Sequence, residues 1–488
     1  MSRYLSHALL TLVLLAWTSV VFVAQADEPT GFQAAVALEE AMVRSIAQAE
    51  QSVVAIARVR RTNEDRLDLS ANPFNQLGRS APRPGDPEFI PNDFATGVVV
   101  GREGLILTAH HVLRDDSDYW VTTPDRKTYK VNRIVGADPR SDLAVLSIDA
   151  RDLSPIKFGD ASKLKKGMIV IALGNPYAIA RDGQASASWG IVSNLSRKDG
   201  PSSGALDQPT RPTMHQYGTL IQTDAKLNLG TSGGALLNLH GEMVGLTLSL
   251  AAALGYEQAA GFALPVDDTF LRAVDTLKQG GEVEYGFLGI QLPPGYEADA
   301  RFKVGAIVRH VIEGSPAARF GLKQGDVITH VDGERIFDAD GLLLNVGKLP
   351  PESGVTLRVE RDDNVKTVVI GELSKNWVSG KKVITRLPPS WRGIRVDYVT
   401  ASERYREWST QHLVDPQGSV VITEVAENSP AWREGLRPEM CISHVGGQRV
   451  STPKQFREVV SRQDGPVKVR LTVPAGDALQ CTIPPEAG

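Results

Sequence analysis

The sequence predicts a chain of about three domains in which short β-strands carry the informative residues, and three observations point that way. With 488 residues, 42% of them apolar, the chain is long enough for about three cores of ordinary domain size. The stretch GVVVGREGLILTAHHVL reads as two short apolar strands joined at the Arg102-Glu103-Gly104 turn. A duplication follows further on. GAIVRHVIEGSPAARFGLKQGDVITHVDGERI, residues 305–336, lines up with GSVVITEVAENSPAWREGLRPEMCISHVGGQRV, residues 418–450, and Ser315-Pro316, Gly321-Leu322, His330, Gly333 and Arg335 recur 114 positions later. A fixed offset of that kind marks a repeated domain.

The elements can be justified in chain order. Residues 1–26 combine Arg3, an apolar run from Ala8 to Val23 and a small-x-small ending at Ala24-Gln25-Ala26, the form of a secretory signal peptide cut after Ala26. The cleaved chain is then expected to hold no stable membrane insertion. Phe32 to Ala49 has helix-compatible spacing, and a first strand is expected at Ser52 to Ala57. Residues 62–93 are polar and punctuated by prolines, which reads as a long surface loop. Thr108-Ala109-His110-His111-Val112 leaves the second strand of the hairpin. Asp142 then enters the apolar run Leu143-Ala144-Val145-Leu146, where a carboxylate needs partners if it is buried. A second Gly, Pro and Ser-rich loop, Asp199 to Gln216, leads to QTDAKLNLGTSGGALLN.

That last string holds the chemistry. A serine flanked by glycines, as in Gly230-Thr231-Ser232-Gly233-Gly234, lets backbone N–H groups converge on the oxygen of a tetrahedral intermediate, which is what acyl transfer requires. A histidine at a strand exit and an aspartate entering the next strand supply a base and a group to orient it. Taken singly, each reads more readily as structural: Ser232 as a turn serine, His111 as a packed strand-end histidine and Asp142 as a strand cap. Their order, with these flanking strings, favours the triad.

TAHHV, SDLAVL, ALGNP, WGIVSNLSR, QTDAKLNLGTSGG and GFALP, in that order, are similar to the motifs of the HtrA/Deg family of trypsin-like serine proteases. The resemblance implies a mainly β chain, a trypsin-like double β-barrel followed by two PDZ domains. It assigns His111 as base, Asp142 as its orienting acid and Ser232 as nucleophile, with the N–H groups of Gly230 and Ser232 forming the oxyanion hole. Each repeat resembles a PDZ domain, which binds an extended peptide on a sheet edge and cradles its terminal carboxylate on a backbone loop. Phe287-Leu288-Gly289-Ile290 fits that loop in the first copy, and Arg392-Gly393-Ile394, after Trp391, in the second. The implied layout is a signal peptide (1–26), an N-terminal helical segment (27–51), a protease domain (52–281), a first PDZ domain (282–374), a linker (375–389) and a second PDZ domain (390–488).

The expected partners are unfolded polypeptides and C-terminal peptide tails, in a periplasmic or secreted setting, with assembly into a homo-trimer or a multiple of trimers. The resemblance implies a serine endopeptidase that degrades unfolded or damaged proteins; the alternative, a proteolytically idle peptide-binding or chaperone-like scaffold, is favoured only by two departures from the family pattern, Thr231 before the nucleophile and Ala235 after the second glycine. A net charge of −4 without a basic aromatic cluster argues against nucleic acid. No HExxH and no Cys/His cluster at ligand spacing occurs, so no metal or other cofactor is expected. Only Cys441 and Cys481 are present, too few for a disulfide scaffold but enough for one bridge. His330 and His444 read as strand-face residues of the repeat.

Overall fold

Runs of Val, Ile and Leu that are apolar on nearly every residue cannot leave either face in water, so these strands close on themselves. The computed structural model describes residues 31–61, 93–175, 183–198, 213–248, 261–293, 304–362, 364–472 and 479–486. The expected signal segment, most of both long loops and the turn of the second repeat's last hairpin lie outside these residues.

Helix α1 (Gly31–Ala49) comes first, and the Ser45 hydroxyl near its end donates to the Leu239 carbonyl at 2.6 Å. Strands β1 (Val53–Arg60), β2 (Asp93–Gly101), β3 (Leu105–Ala109), β4 (Ser117–Thr122), β5 (Thr128–Asp138) and β6 (Leu143–Ile148) form the first barrel, in the order β5-β4-β1-β2-β3-β6, with β6 returning to pair with β5. Val54, Ile56, Val99, Ile106, Leu146 and Ile148 fill it. Strands β7 (Ile169–Gly174), β8 (Ser186–Arg197), β9 (Leu220–Thr223), β10 (Ala235–Leu237), β11 (Met243–Leu248) and β12 (Gly261–Pro265) close a second barrel in the order β10-β11-β12-β9-β8-β7. Val170, Val192, Ile221, Leu236 and Val244 fill that one.

Helix α2 (Asp268–Lys278) follows. The Asp267 side chain accepts from Phe270 N at 2.9 Å, satisfying a donor that the helix start would otherwise leave without a partner. Its buried residues Phe270, Ala273, Val274 and Leu277 recur at i, i+3, i+4 and i+7, one stripe of the helix.

The two repeats fold alike. In each, a serine caps a short helix that begins with proline: Ser315 accepts from Ala318 N at 3.3 Å ahead of Pro316–Arg319, and Ser429 from Trp432 N at 3.2 Å ahead of Pro430–Arg433. Proline suits that place because the N–H it lacks would have had no partner in the first turn. The copies differ at one internal tie: Asp326 takes a two-pronged hydrogen bond from Arg361 at 2.6 and 2.7 Å, while Met440 stands at the position 114 residues on. His330 and His444 lie on the equivalent strands Val327–Val331 and Cys441–Val445, opposite Arg335 and Arg449. Cys441 and Cys481 are both free thiols, and burial raises both, Cys441 to about 12 and Cys481 to about 11.

Residues 375–389, expected as a linker between repeats, do more than connect. Val383–Ile384 adds a strand to the first barrel, Val383 opposite Ala137 and Ile384 opposite Gly136 of β5. The Thr385 hydroxyl donates to the Val135 carbonyl at 2.6 Å, and the His110 ring bonds the Lys381 carbonyl at 3.0 Å.

At the start of this segment, Lys375 has a side chain only 3% exposed and pairs with Glu282 at 2.8 Å, Glu284 at 3.2 Å and Asp397 at 2.7 Å. Burial pushes its ammonium down, and the charges of Asp397, Glu282 and Glu284 more than reverse this, leaving it well above the usual lysine range. Burial raises Glu284, whereas Glu282, also bonded to Lys382 at 2.7 Å, is held low against its own burial. Removing the lysine leaves three carboxylates without their shared cation. Lys375→Met is therefore expected to cost about 3–5 kcal/mol of stability, read as a lower midpoint in chemical denaturation of the full chain; an unchanged midpoint would show that the carboxylates relax into water.

Candidate active site

Asp142, His111 and Ser232 reach one point from three strand ends. β3 runs out at Ala109 and a single 3-10 turn, His110–Val112, carries His111 outward. Asp142 sits just before β6 with φ 55°, a left-handed conformation that a short polar residue tolerates better than most. The turn aims its carboxylate back at the histidine. Oδ2 lies 2.7 Å from His111 Nδ1, and Oδ1 accepts from the His111 backbone N–H at 2.9 Å. On the far side of the ring, Nε2 is 3.2 Å from Ser232 Oγ.

These distances fix the proton. A carboxylate on Nδ1 keeps the hydrogen there and leaves Nε2 as an acceptor facing the hydroxyl. Burial pushes the Asp142 carboxyl up, but the adjacent His111 charge and its hydrogen bonds outweigh this and hold it below the usual carboxylate range. Asp142 remains ionised.

The serine turn depends on two glycines. Gly233 has φ +86°, and a Cβ there would meet the Thr96 carbonyl at 2.2 Å; Gly230 has φ +95°, and a Cβ there would meet the Phe94 ring at 2.5 Å. Thr96, on β2 and fully buried, is the residue that sequence reasoning missed. Its hydroxyl donates to the Gly230 carbonyl at 2.7 Å and accepts from Asn175 N at 2.8 Å, while its N–H donates to the Ser232 carbonyl at 2.9 Å. One first-barrel residue thus holds the serine turn of the second barrel. A threonine among Ala95, Gly97 and the valines after it was the available signal, though a strand threonine reads equally as a β-former.

Thr231 fits without backbone strain. Its N–H and its hydroxyl both donate to the Asn228 carbonyl, at 3.1 and 2.7 Å, and its own carbonyl accepts from Gly234 N at 3.0 Å and from the Thr247 hydroxyl at 2.5 Å. A trans peptide points N–H opposite to C=O, so the Ser232 N–H is turned away from Thr247. Thr231→Val keeps the shape and removes one hydrogen bond, so kcat/KM should fall about five-fold, roughly 1 kcal/mol. An unchanged rate on a short peptide would mean that Thr96 alone sets the turn.

His215 was also missed; it stood at the end of a segment that read as loop. It is buried, with Nε2 2.9 Å from the Ser141 carbonyl and Nδ1 2.8 Å from the Thr219 hydroxyl. Burial depresses its basicity, partly offset by the Ser141 carbonyl and the nearby Asp142. Neutral and pinned on both nitrogens, it braces the turn that delivers Asp142. Beside Ser232 and His111 opens a cavity of about 230 Å³, with Ile56, Phe94 and Val112 among its apolar walls and Arg58 and Asp93 at its polar side.

The expected peptide loops are also placed. In the first repeat the Leu288 and Gly289 carbonyls accept from Ala317 N at 2.8 Å and Ile312 N at 2.9 Å, which turns the Gly289 and Ile290 N–H groups the other way. The Phe287 ring packs edge-on to Tyr405 of the second repeat, centroids 6.0 Å apart. In the second repeat the Arg392 and Gly393 carbonyls accept from Ala431 N at 3.3 Å and Ala426 N at 2.8 Å. The buried Arg392 guanidinium donates to the carbonyls of Ile483 at 2.5 Å and Gly465 at 2.6 Å, so its side chain ties the domain together.

Comparison with known proteins gives three family matches: a trypsin-like peptidase domain over residues 95–246, and a PDZ domain over residues 286–371 and again over 421–473. The chain is 32% identical over 394 residues to a probable periplasmic serine endoprotease, DegP-like, of Pseudomonas fulva, covering 78% of this chain and 76% of that protein. It is 30% identical over 412 residues to the protein of the same description from Chlamydia muridarum, covering 83% and 76%. Among solved structures, the HtrA-type protease AlgW with a decapeptide matches 71% of this chain and 99% of that one, at 24% identity and a TM-score of 0.49.

Proposed function

The chain belongs to the HtrA/Deg family of periplasmic serine endoproteases, and on that premise we propose that Ser232, His111 and Asp142 are its catalytic triad, acting on unfolded or damaged polypeptides. The observation that carries the assignment is the unbroken hydrogen-bond line from Asp142 Oδ2 through the His111 ring to Ser232 Oγ.

Ser232 Oγ attacks the scissile carbonyl while His111 Nε2 takes its proton, and Asp142 stabilises the imidazolium that forms. The N–H groups of Gly230 and Ser232 receive the oxyanion. His111 then returns the proton to the leaving amine. Water repeats the sequence to release the acyl group.

The domain limits follow the sequence reading: a protease domain over 52–281 and PDZ domains over 282–374 and 390–488. In the first PDZ domain, the Gly289 and Ile290 N–H groups are the carboxylate receptor for a C-terminal tail, with Leu288, Leu342 and Val346 offering its last side chain an apolar place. In the second, Gly393 takes the equivalent place alone, because the Ile394 N–H already donates to the Trp391 carbonyl at 2.9 Å, and the Arg392 side chain is turned to structural use. Assembly through protease domains into a trimer or a multiple of trimers completes the reading. A serine-directed phosphonate tests it: one label per chain on the wild type, none on Ser232→Ala. A label retained by the variant would place the nucleophile elsewhere, and an unlabelled wild type would leave the idle scaffold.

A further inference from the structure

We propose that Arg140, a residue of the protease domain, completes the tail-binding site of the first PDZ domain as the cation that meets the terminal carboxylate. The inference rests on the tail-binding reading above and adds to it a ligand group from another domain. Tail binding then acts two residues away from Asp142.

A cavity of about 380 Å³ opens at Leu288, Gly289 and Ile290, bounded by Leu342 and Val346 of the helix Ala339–Lys348, and Arg140 forms part of its wall. Arg140 is only 9% exposed. Its guanidinium lies over the Tyr285 ring, 5.1 Å from the centroid, and approaches Gly347 closely enough that a Cβ there would stand 2.8 Å from it. Its Nε has no hydrogen-bond partner, and among the described residues no carboxylate pairs with it. A buried cation without a counter-ion is costly. A carboxylate arriving in this cavity would remove that cost with a charge-assisted bond.

The same short segment is tied on every side to the site. The Arg140 carbonyl accepts from Met214 N at 2.9 Å, and the next carbonyl, of Ser141, is the one that His215 holds. Asp138 accepts from Ser141 N at 2.8 Å and from the buried Tyr285 hydroxyl. Tyr285 stands two residues before Phe287. Segment 138–142 is thereby shared between the tail site and the catalytic site, so an anion bound at Arg140 orders the turn from which Asp142 reaches His111.

The test uses the full-length protein and a short fluorescein-labelled peptide ending in valine, prepared as the free acid and as the amide. Wild type is expected to prefer the acid, and Arg140→Gln to weaken acid binding about ten-fold or more, the range for losing a hydrogen bond to a charged group, while Arg140→Lys recovers part of it. An acid preference that survives in Arg140→Gln overturns the role of Arg140 and leaves tail binding standing. No acid preference in wild type overturns tail binding itself. Should Arg140→Gln not fold, hydrogen exchange on wild type decides: residues 138–142 protected by the acid but not by the amide support the inference, and equal protection overturns it.

Discussion

Ser232→Ala is expected to abolish cleavage of an unfolded substrate, with kcat falling on the order of a million-fold, as when a triad nucleophile is removed from a protease of the same mechanism. The three groups act as one unit: without Oγ there is nothing for His111 Nε2 to activate, 3.2 Å away. The turn itself survives, because its geometry depends on Thr96, Gly230 and Gly233 and not on the serine side chain. Unfolding of the variant should match the wild type in a thermal scan. Cleavage at even a tenth of the wild-type rate would sink the assignment.

Asp142→Asn should lower kcat about ten-thousand-fold, the scale of losing the correct histidine tautomer. An amide presents an N–H as readily as an oxygen, so His111 Nδ1 can become the acceptor and Nε2 the protonated nitrogen. Nε2 then faces the serine as a donor. Peptide hydrolysis followed against pH separates this from a mere loss of order. Activity that recovers steeply at alkaline pH, where hydroxide relieves the need for a base, supports the tautomer account; a uniform loss at all pH values argues that the variant has displaced the ring. Fold stability should also respond. The Asp142 carboxyl is held below its ordinary value in the folded chain, so its contribution is complete above the unfolded carboxyl range, about pH 4, and is lost as pH falls through the lower folded value. The asparagine variant lacks that acid-side loss.

The grouping of His111, Asp142 and Ser232 was legible in the sequence because each sits inside a short local string, and a motif preserves local spacing. Thr96 and His215 lacked that advantage. Thr96 lies 134 residues from the carbonyl it holds, and nothing in a single buried threonine announces a partner at that distance. The strand at Val383–Ile384 was hidden for a different reason: two residues show no period, and Gly380 with Pro388 and Pro389 gave the stretch the look of a connector. Thr231 read only as a departure from the family pattern. Its hydroxyl closes a bond inside the turn, a capacity that its β-branched shape alone did not reveal.

Because Val383–Ile384 belongs to the first barrel's sheet, the order of modules along the chain is not the order in which they can be detached. A fragment ending at residue 281 would carry His111, Asp142 and Ser232 and still expose a raw edge on β5, with His110 deprived of the Lys381 carbonyl next door to His111. The genetic boundary between protease and peptide-binding modules therefore cuts through a hydrogen-bonded sheet. Any force or ligand that shifts one PDZ domain against the other pulls on a strand anchored on β5, which runs to Asp138, four residues before Asp142.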